Sequence, residues 1–123
     1  MKWQFKPGLP IYQQLVSIMK NSIANGTYPA GAKLPPVREI AMEAGVNPNT
    51  MQRAFATLEQ EGLLYSVRTS GRFVTEDQNM LNNLRKDLSG DYIRELVSQL
   101  TQLGMSREEI LAAVSEWIQK EDK

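Results

Sequence analysis

Apolar residues recur near the start of the chain with the three-and-four spacing of one helix face: Tyr12, Leu15, Val16, Met19 and Ile23. Pro10 is placed to open that helix at its first position, and Asn25-Gly26 ends it. The stretch GTYPAGAKLPP then reads as loop, with one short extended piece at Ala32–Leu34. Pro36 starts a second helix with Ile40, Ala41 and Ala44 inward, and Gly45 stops it. A third helix begins at NPNT. Asn47 is a good N-cap and Pro48 falls at the first helical position, where its missing N–H costs nothing. This helix runs to about Glu61, with Met51, Ala54, Phe55 and Leu58 inward and Asn49, Gln52 and Arg53 outward.

Two helices joined by the turn GVN make a helix-turn-helix. Leu63–Val67 and Arg72–Thr75 follow as short strands around a Thr69-Ser70-Gly71 turn, so the motif carries a hairpin wing. From Asp77 the pattern changes to long amphipathic helix. Leu81, Leu84, Leu88, Tyr92, Leu96, Leu100 and Leu103 recur at three and four. Gly90, within SGD, leaves a continuous, kinked or split helix open. Gly104 terminates it, Ser106–Glu109 form a capping box, and a last helix carries Ile110, Leu111, Val114, Trp117 and Ile118 on one side. The expected fold is mainly α with a small β-hairpin: a winged helix-turn-helix over residues 1–76 and a two-helix dimerisation tail over residues 77–123.

Length changes this picture little, since 123 residues suit one small domain with an appendage. The absence of cysteine and histidine changes it more, because it removes disulfides, the usual zinc ligands and the usual general base. There is no glycine-rich phosphate loop either. Neither an enzyme nor a metal or other cofactor is expected. Glu108 and Glu109 are explained by helix capping and the helix dipole. No apolar run approaches bilayer length and no signal-peptide core is present, so a cytoplasmic protein without membrane contact is expected.

The zero net charge is unevenly distributed. Residues 1–75 carry eight basic and four acidic side chains, and residues 76–123 carry six and ten. A basic half suits a polyanionic partner, with chance scatter as the plainer reading.

The start of a recognition helix reaches base edges in the major groove. Asn and Gln suit adenine there and Arg suits guanine. Asn47, Asn49, Thr50, Gln52 and Arg53 are therefore candidate DNA contacts, with Thr50 suited to a phosphate. Arg38, in the first turn of the preceding helix, is a further phosphate candidate. Arg68, Ser70, Gly71 and Arg72 form the wing; glycine allows close backbone approach and arginine suits the narrow minor groove. Polar residues that merely face water are the competing reading. A winged helix that binds protein and not DNA is the alternative function, but it has no need of this polar cluster or the basic wing. The tail stripe, with Ile110, Leu111, Val114 and Trp117, either completes this chain's core or meets a second chain. Two helices alone enclose little apolar area, which favours a two-fold dimer.

The stretch AGAKLPPVREIAMEAGVNPNTMQRAFATLEQEGLLYSVRTSGRFV resembles the DNA-binding domain of the GntR family of bacterial transcription regulators, over roughly residues 9–75. VNPNT and the short tail with LGMSREEI are similar to the YtrA-like subfamily. The resemblance implies a homodimeric repressor of its own operon, bound to double-stranded DNA at an inverted-repeat operator. It implies DNA contact by Arg38, Asn49, Thr50, Gln52, Arg53 and the Gly71 wing. Operator sequence and any small-molecule effector are left unspecified. Many relatives have arginine at the places of Pro48 and Gln52, and glycine where Thr69 stands.

Overall fold

The computed structural model describes residues 3–121. Helix α1 (Ile11–Ala24) turns Leu15, Met19 and Ile23 inward, as their spacing requires. Helix α2 (Val37–Ala44) contributes Ile40 and Ala41, and α3 (Pro48–Gln60) contributes Met51, Ala54, Phe55 and Leu58. Leu15, Met19, Ile40, Met51 and Leu58 are wholly buried where the three helices meet. At about 25 cal/mol per Å² of apolar surface, such side chains each contribute about 1.5–3 kcal/mol.

Pro10 and Pro36 were expected at first helical positions. They stand one residue earlier, with φ of −58° and −57° and extended ψ of 134° and 150°. The ring fixes φ but leaves ψ free, so proline serves on either side of the boundary. Asn47 and Pro48 stand as expected: Asn47 Oδ1 accepts from the Asn49 N–H at 2.8 Å, and Pro48 opens the helix.

The turn between α2 and α3 rests on Gly45, at φ 72°, where an L side chain is strained. The Val46 N–H closes back to the Ala41 carbonyl at 3.0 Å and the Gly45 N–H to Met42 at 3.2 Å. These bonds use carbonyls that the helix end would otherwise leave open.

Strands β1 (Leu64–Val67) and β2 (Gly71–Val74) pair antiparallel, with Leu64 opposite Val74 and Val67 opposite Gly71. Tyr65 and Phe73 sit opposite each other and stack with ring centres 5.6 Å apart. The other edge of β2 is used as well. Lys33 bridges to Phe73, the Leu34 N–H donates to the Arg72 carbonyl at 2.9 Å, and the Val74 N–H donates to the Ala32 carbonyl at 2.9 Å. The extended piece expected at Ala32–Leu34 thus flanks the wing.

Helix α4 (Gln78–Gln102) runs unbroken through Gly90. Asp77 caps its start by accepting from the Asn79 and Met80 N–H groups at 3.0 and 3.2 Å. The described chain forms two compact units that meet at Lys86 and Asp87, so the winged unit takes in the first turns of α4. Leu81 and Leu84, read from sequence as the start of a dimerisation stripe, are buried in this first unit. There Arg85 Nη2 also donates to the Ala24 carbonyl, at the end of α1, at 3.1 Å.

The second unit holds the rest of α4 and α5 (Arg107–Glu121). Its capping box is formed. The Ser106 N–H donates to Glu109 Oε1 at 3.0 Å, and the Glu109 N–H donates to Ser106 Oγ at 3.2 Å. These bonds hold the Glu109 carboxyl below the ordinary glutamate pKa. Leu96, Leu100, Met105, Ala113, Val114, Trp117 and Ile118 line an apolar crevice of about 450 Å³. Of the residues assigned to the tail, Ile110 is buried, Leu88, Leu100 and Val114 are half-buried, and Tyr92, Leu96, Leu103, Leu111 and Trp117 are exposed. No helix among the described residues is long and apolar enough to cross a membrane.

Candidate nucleic-acid interface

The cap at Asn47 fixes where α3 begins, and the helix period then decides what it presents. With Met51, Ala54, Phe55 and Leu58 inward, Asn49, Gln52 and Arg53 are left exposed and Thr50 half-buried. Asn47 is exposed too, although its side-chain oxygen is committed to the cap.

Arg53 does not extend freely into solvent. Its guanidinium lies 4.0 Å from the centre of the Tyr12 ring on α1, a cation–π arrangement. The Tyr12 hydroxyl in turn hydrogen-bonds the Thr57 hydroxyl one turn along α3. Two elements therefore hold one outward-facing cation.

Arg38 occupies the first turn of α2 and is exposed. Arg68 and Ser70 are exposed at the tip of the wing. Neither Arg38 nor Arg68 forms an ion pair among the described residues, so both charges remain available to a phosphate.

Two features shape the wing. Thr69 has φ 70°, the one non-glycine residue with positive φ among the described residues. It takes a glycine-like conformation despite its side chain. Gly71 has φ 124°, and a Cβ there would meet Lys33 Cε at 3.1 Å. Backbone conformation and close approach both call for glycine at this position.

Arg72 behaves differently from Arg68. Its Nε donates to Glu59 Oε1 at 3.4 Å, its Nη1 donates to Gln52 Oε1 at 3.2 Å, and its guanidinium lies 5.2 Å from the Phe55 ring centre. Ser66 also donates to the same Glu59 oxygen. Sequence reading paired Arg72 with Arg68 as a groove-facing cation. The structure instead uses it to tie wing to recognition helix.

Lys33 is the cation that sequence reasoning left out. It is exposed, and its side chain lies against Gly71. It helps line a crevice of about 240 Å³ with Pro35, Pro36, Ser70, Gly71 and Arg72. Its position in the extended piece beside the wing was the only available signal. Lys33, Arg38 and Arg68 are thus three exposed cations of the first unit, on the segment beside the wing, in the first turn of α2 and at the wing tip.

An exposed polar helix start, a tight turn before it and a basic wing after it make a winged helix-turn-helix suited to DNA. Comparison with known proteins agrees. Residues 11–74 match the family model described as bacterial regulatory proteins, gntR family. The HTH-type transcriptional repressor YtrA of Bacillus subtilis is 30% identical over 112 residues, covering 90% of this chain and 83% of YtrA. A GntR family transcriptional regulator from Listeria monocytogenes superposes with a TM-score of 0.83 at 39% identity, covering 91% of this chain and 98% of that one. The AraR DNA-binding domain in complex with operator ORX1 superposes with a TM-score of 0.55 at 30% identity, covering 61% of this chain and 96% of that one. The chain is therefore a DNA-binding transcription regulator, and it belongs to the GntR family.

Proposed function

We propose that the protein is a homodimeric repressor, acting in the cytoplasm on its own operon, that binds an inverted-repeat operator. The observation that carries this reading is the exposed start of α3, with Asn49, Gln52 and Arg53 outward between Arg38 and the wing. Asn49, Gln52 and Arg53 read base edges. Asn47, Thr50, Arg38 and Lys33 hold backbone phosphates, and Arg68, Ser70 and Gly71 enter the adjacent groove. Repression is supported by the printed role of YtrA, and an operator as target by the AraR complex.

Dimerisation is supported by the second unit. Tyr92, Ile93, Leu103, Leu111, Trp117 and Ile118 are each more than half exposed, an unusual concentration of large apolar groups for two helices. A second copy of the same surface covers them at little cost in specificity, and a two-fold pair is the commonest closed solution. Two recognition helices then face half-sites about one helical turn, roughly 34–36 Å, apart.

The test is footprinting on the DNA upstream of the protein's own gene, with sedimentation of the free protein. A protected inverted repeat and a dimer are expected. A single asymmetric site bound by one chain contradicts the reading.

A further inference from the structure

Gln52 stands on the exposed face of α3, where a free glutamine pairs with adenine through both ends of its amide. Such pairing needs the oxygen to accept from adenine N6 while the nitrogen donates to N7. In this protein the oxygen already has a partner, since Arg72 Nη1 donates to Gln52 Oε1 at 3.2 Å. A guanidinium carries donors only, so the group that faces it must be the carbonyl oxygen and not the NH₂.

Arg72 is itself held from several sides. Glu59 accepts from its Nε at 3.4 Å, and Glu59 is in turn bonded by Ser66 of β1. The face of Phe55, which is 1% exposed, lies 5.2 Å from the guanidinium carbon. The Arg72 side chain is only 19% exposed. The wing residue is therefore anchored before any DNA arrives, and it orients the glutamine beside it.

The geometry points to Arg72 as a positioning residue that sets the base preference of Gln52, presenting it to DNA as a donor and turning it from adenine towards guanine. With its oxygen engaged, Gln52 offers its N–H groups outward. Guanine presents two acceptors in the major groove, N7 and O6, whereas adenine pairs its N7 acceptor with an N6 donor that must share the Gln52 oxygen with the Arg72 guanidinium and reach its second lone pair. The inference rests on the recognition-helix reading and adds one thing to it. A residue of the wing specifies a base pair that the wing does not touch.

The test is selection from a randomised duplex DNA library by the full-length wild type, Q52A, R72M and R72K. R72M keeps the aliphatic stem over Phe55 and removes every donor. Preference is a ratio taken within each variant, so a change in overall stability does not alter it. The wild type is expected to favour guanine over adenine roughly tenfold at one base pair per half-site, and Q52A to lose that preference. R72M is expected to shift the same pair towards adenine, and R72K, which restores a donor, to move back towards guanine. Replacing that guanine by 7-deazaguanine should weaken wild-type binding more than R72M binding.

Uniform weakening by R72M with the base preference unchanged overturns the inference, because Arg72 then acts only on folding or on a phosphate. Loss of preference at a different base pair from Q52A also overturns it, because Arg72 then reads DNA itself. A wild type that selects no sequence sinks the underlying recognition-helix reading, and the two failures are thereby separated.

Discussion

Arg53 stands with its guanidinium 4.0 Å from the centre of the Tyr12 ring. The pair joins α1 to the outward face of α3. An arginine held over an aromatic face loses less freedom when it forms a base contact. Replacing Tyr12 by Leu should weaken operator binding by about 0.5–1 kcal/mol, the worth of an exposed cation–π pair. In a double-mutant cycle with Arg53→Ala the losses should be less than additive. Full additivity would show that Tyr12 does not act through Arg53.

Lys33 and Arg38 should govern the salt dependence of binding. Each neutralised phosphate releases counterions, so replacing either residue by Ala should reduce the slope of log K against log salt by about 1 per chain. Sequence preference should change little. Titrations at several salt concentrations check this, and an unchanged slope for K33A would remove Lys33 from the interface.

Asn47 and Asn49 should separate stability from base preference. Asn47→Ala removes the side-chain cap and should cost about 1 kcal/mol of unfolding free energy. Asn49→Ala should leave the denaturation midpoint nearly unchanged while relaxing base preference. Chemical denaturation and duplex selection on the two variants give opposite patterns if the roles are assigned correctly.

Thr69→Gly should stabilise the fold slightly. Relief of the left-handed conformation is worth about 1–2 kcal/mol, partly offset by the 0.5–1 kcal/mol of extra entropy that glycine loses on folding. A net gain of roughly 0.5 kcal/mol is expected from those two effects. A shift of the denaturation midpoint in the other direction would show that the Thr69 hydroxyl, which bonds the Arg68 carbonyl, outweighs the strain.

Truncation should depend on where the cut is made. Removing residues from Gln78 onward exposes the surface that Leu81 and Leu84 cover and takes away the Arg85 bond to Ala24, so that fragment should be markedly less stable. A cut after Lys86 keeps these groups. It should leave a folded monomer that binds DNA 10²–10⁴-fold more weakly, roughly the avidity of linked sites. Circular dichroism and sedimentation on both fragments check the fold and the oligomeric state. A dimeric shorter fragment would place the dimer contact elsewhere.

Most of the fold was legible because local chemistry and tertiary packing agree. Asn47 and Pro48 mark a helix start with two independent signals. Gly45 and the Ser106–Glu109 box act within a few residues of themselves, where sequence is informative. Leu81 and Leu84 were harder to assign, since a leucine stripe records that one face must be buried but not against what. Gly90 was ambiguous for a different reason. A mid-helix glycine costs only about 1 kcal/mol relative to alanine, and the helix on both sides outweighs that. In the candidate site, the outward set on α3 followed from period alone. The engagement of Arg72 with Glu59 and Gln52 did not, because it joins side chains that only the folded hairpin brings together. Lys33 was missed because it lies well before the wing in sequence and reaches it through a single bridge.

That bridge has a further consequence. Strand β2 has hydrogen-bonded neighbours on both edges, β1 on one side and the Lys33 segment on the other, whereas β1 has β2 alone. The amides of Leu34 and Val74, which donate the two bonds across that edge, should exchange with deuterium slowly, in step with the helical core, while the outward amides of β1 exchange quickly. The wing should therefore fray from its β1 side. The strand that carries Gly71 and Arg72 stays fixed to the body of the domain as the other loosens.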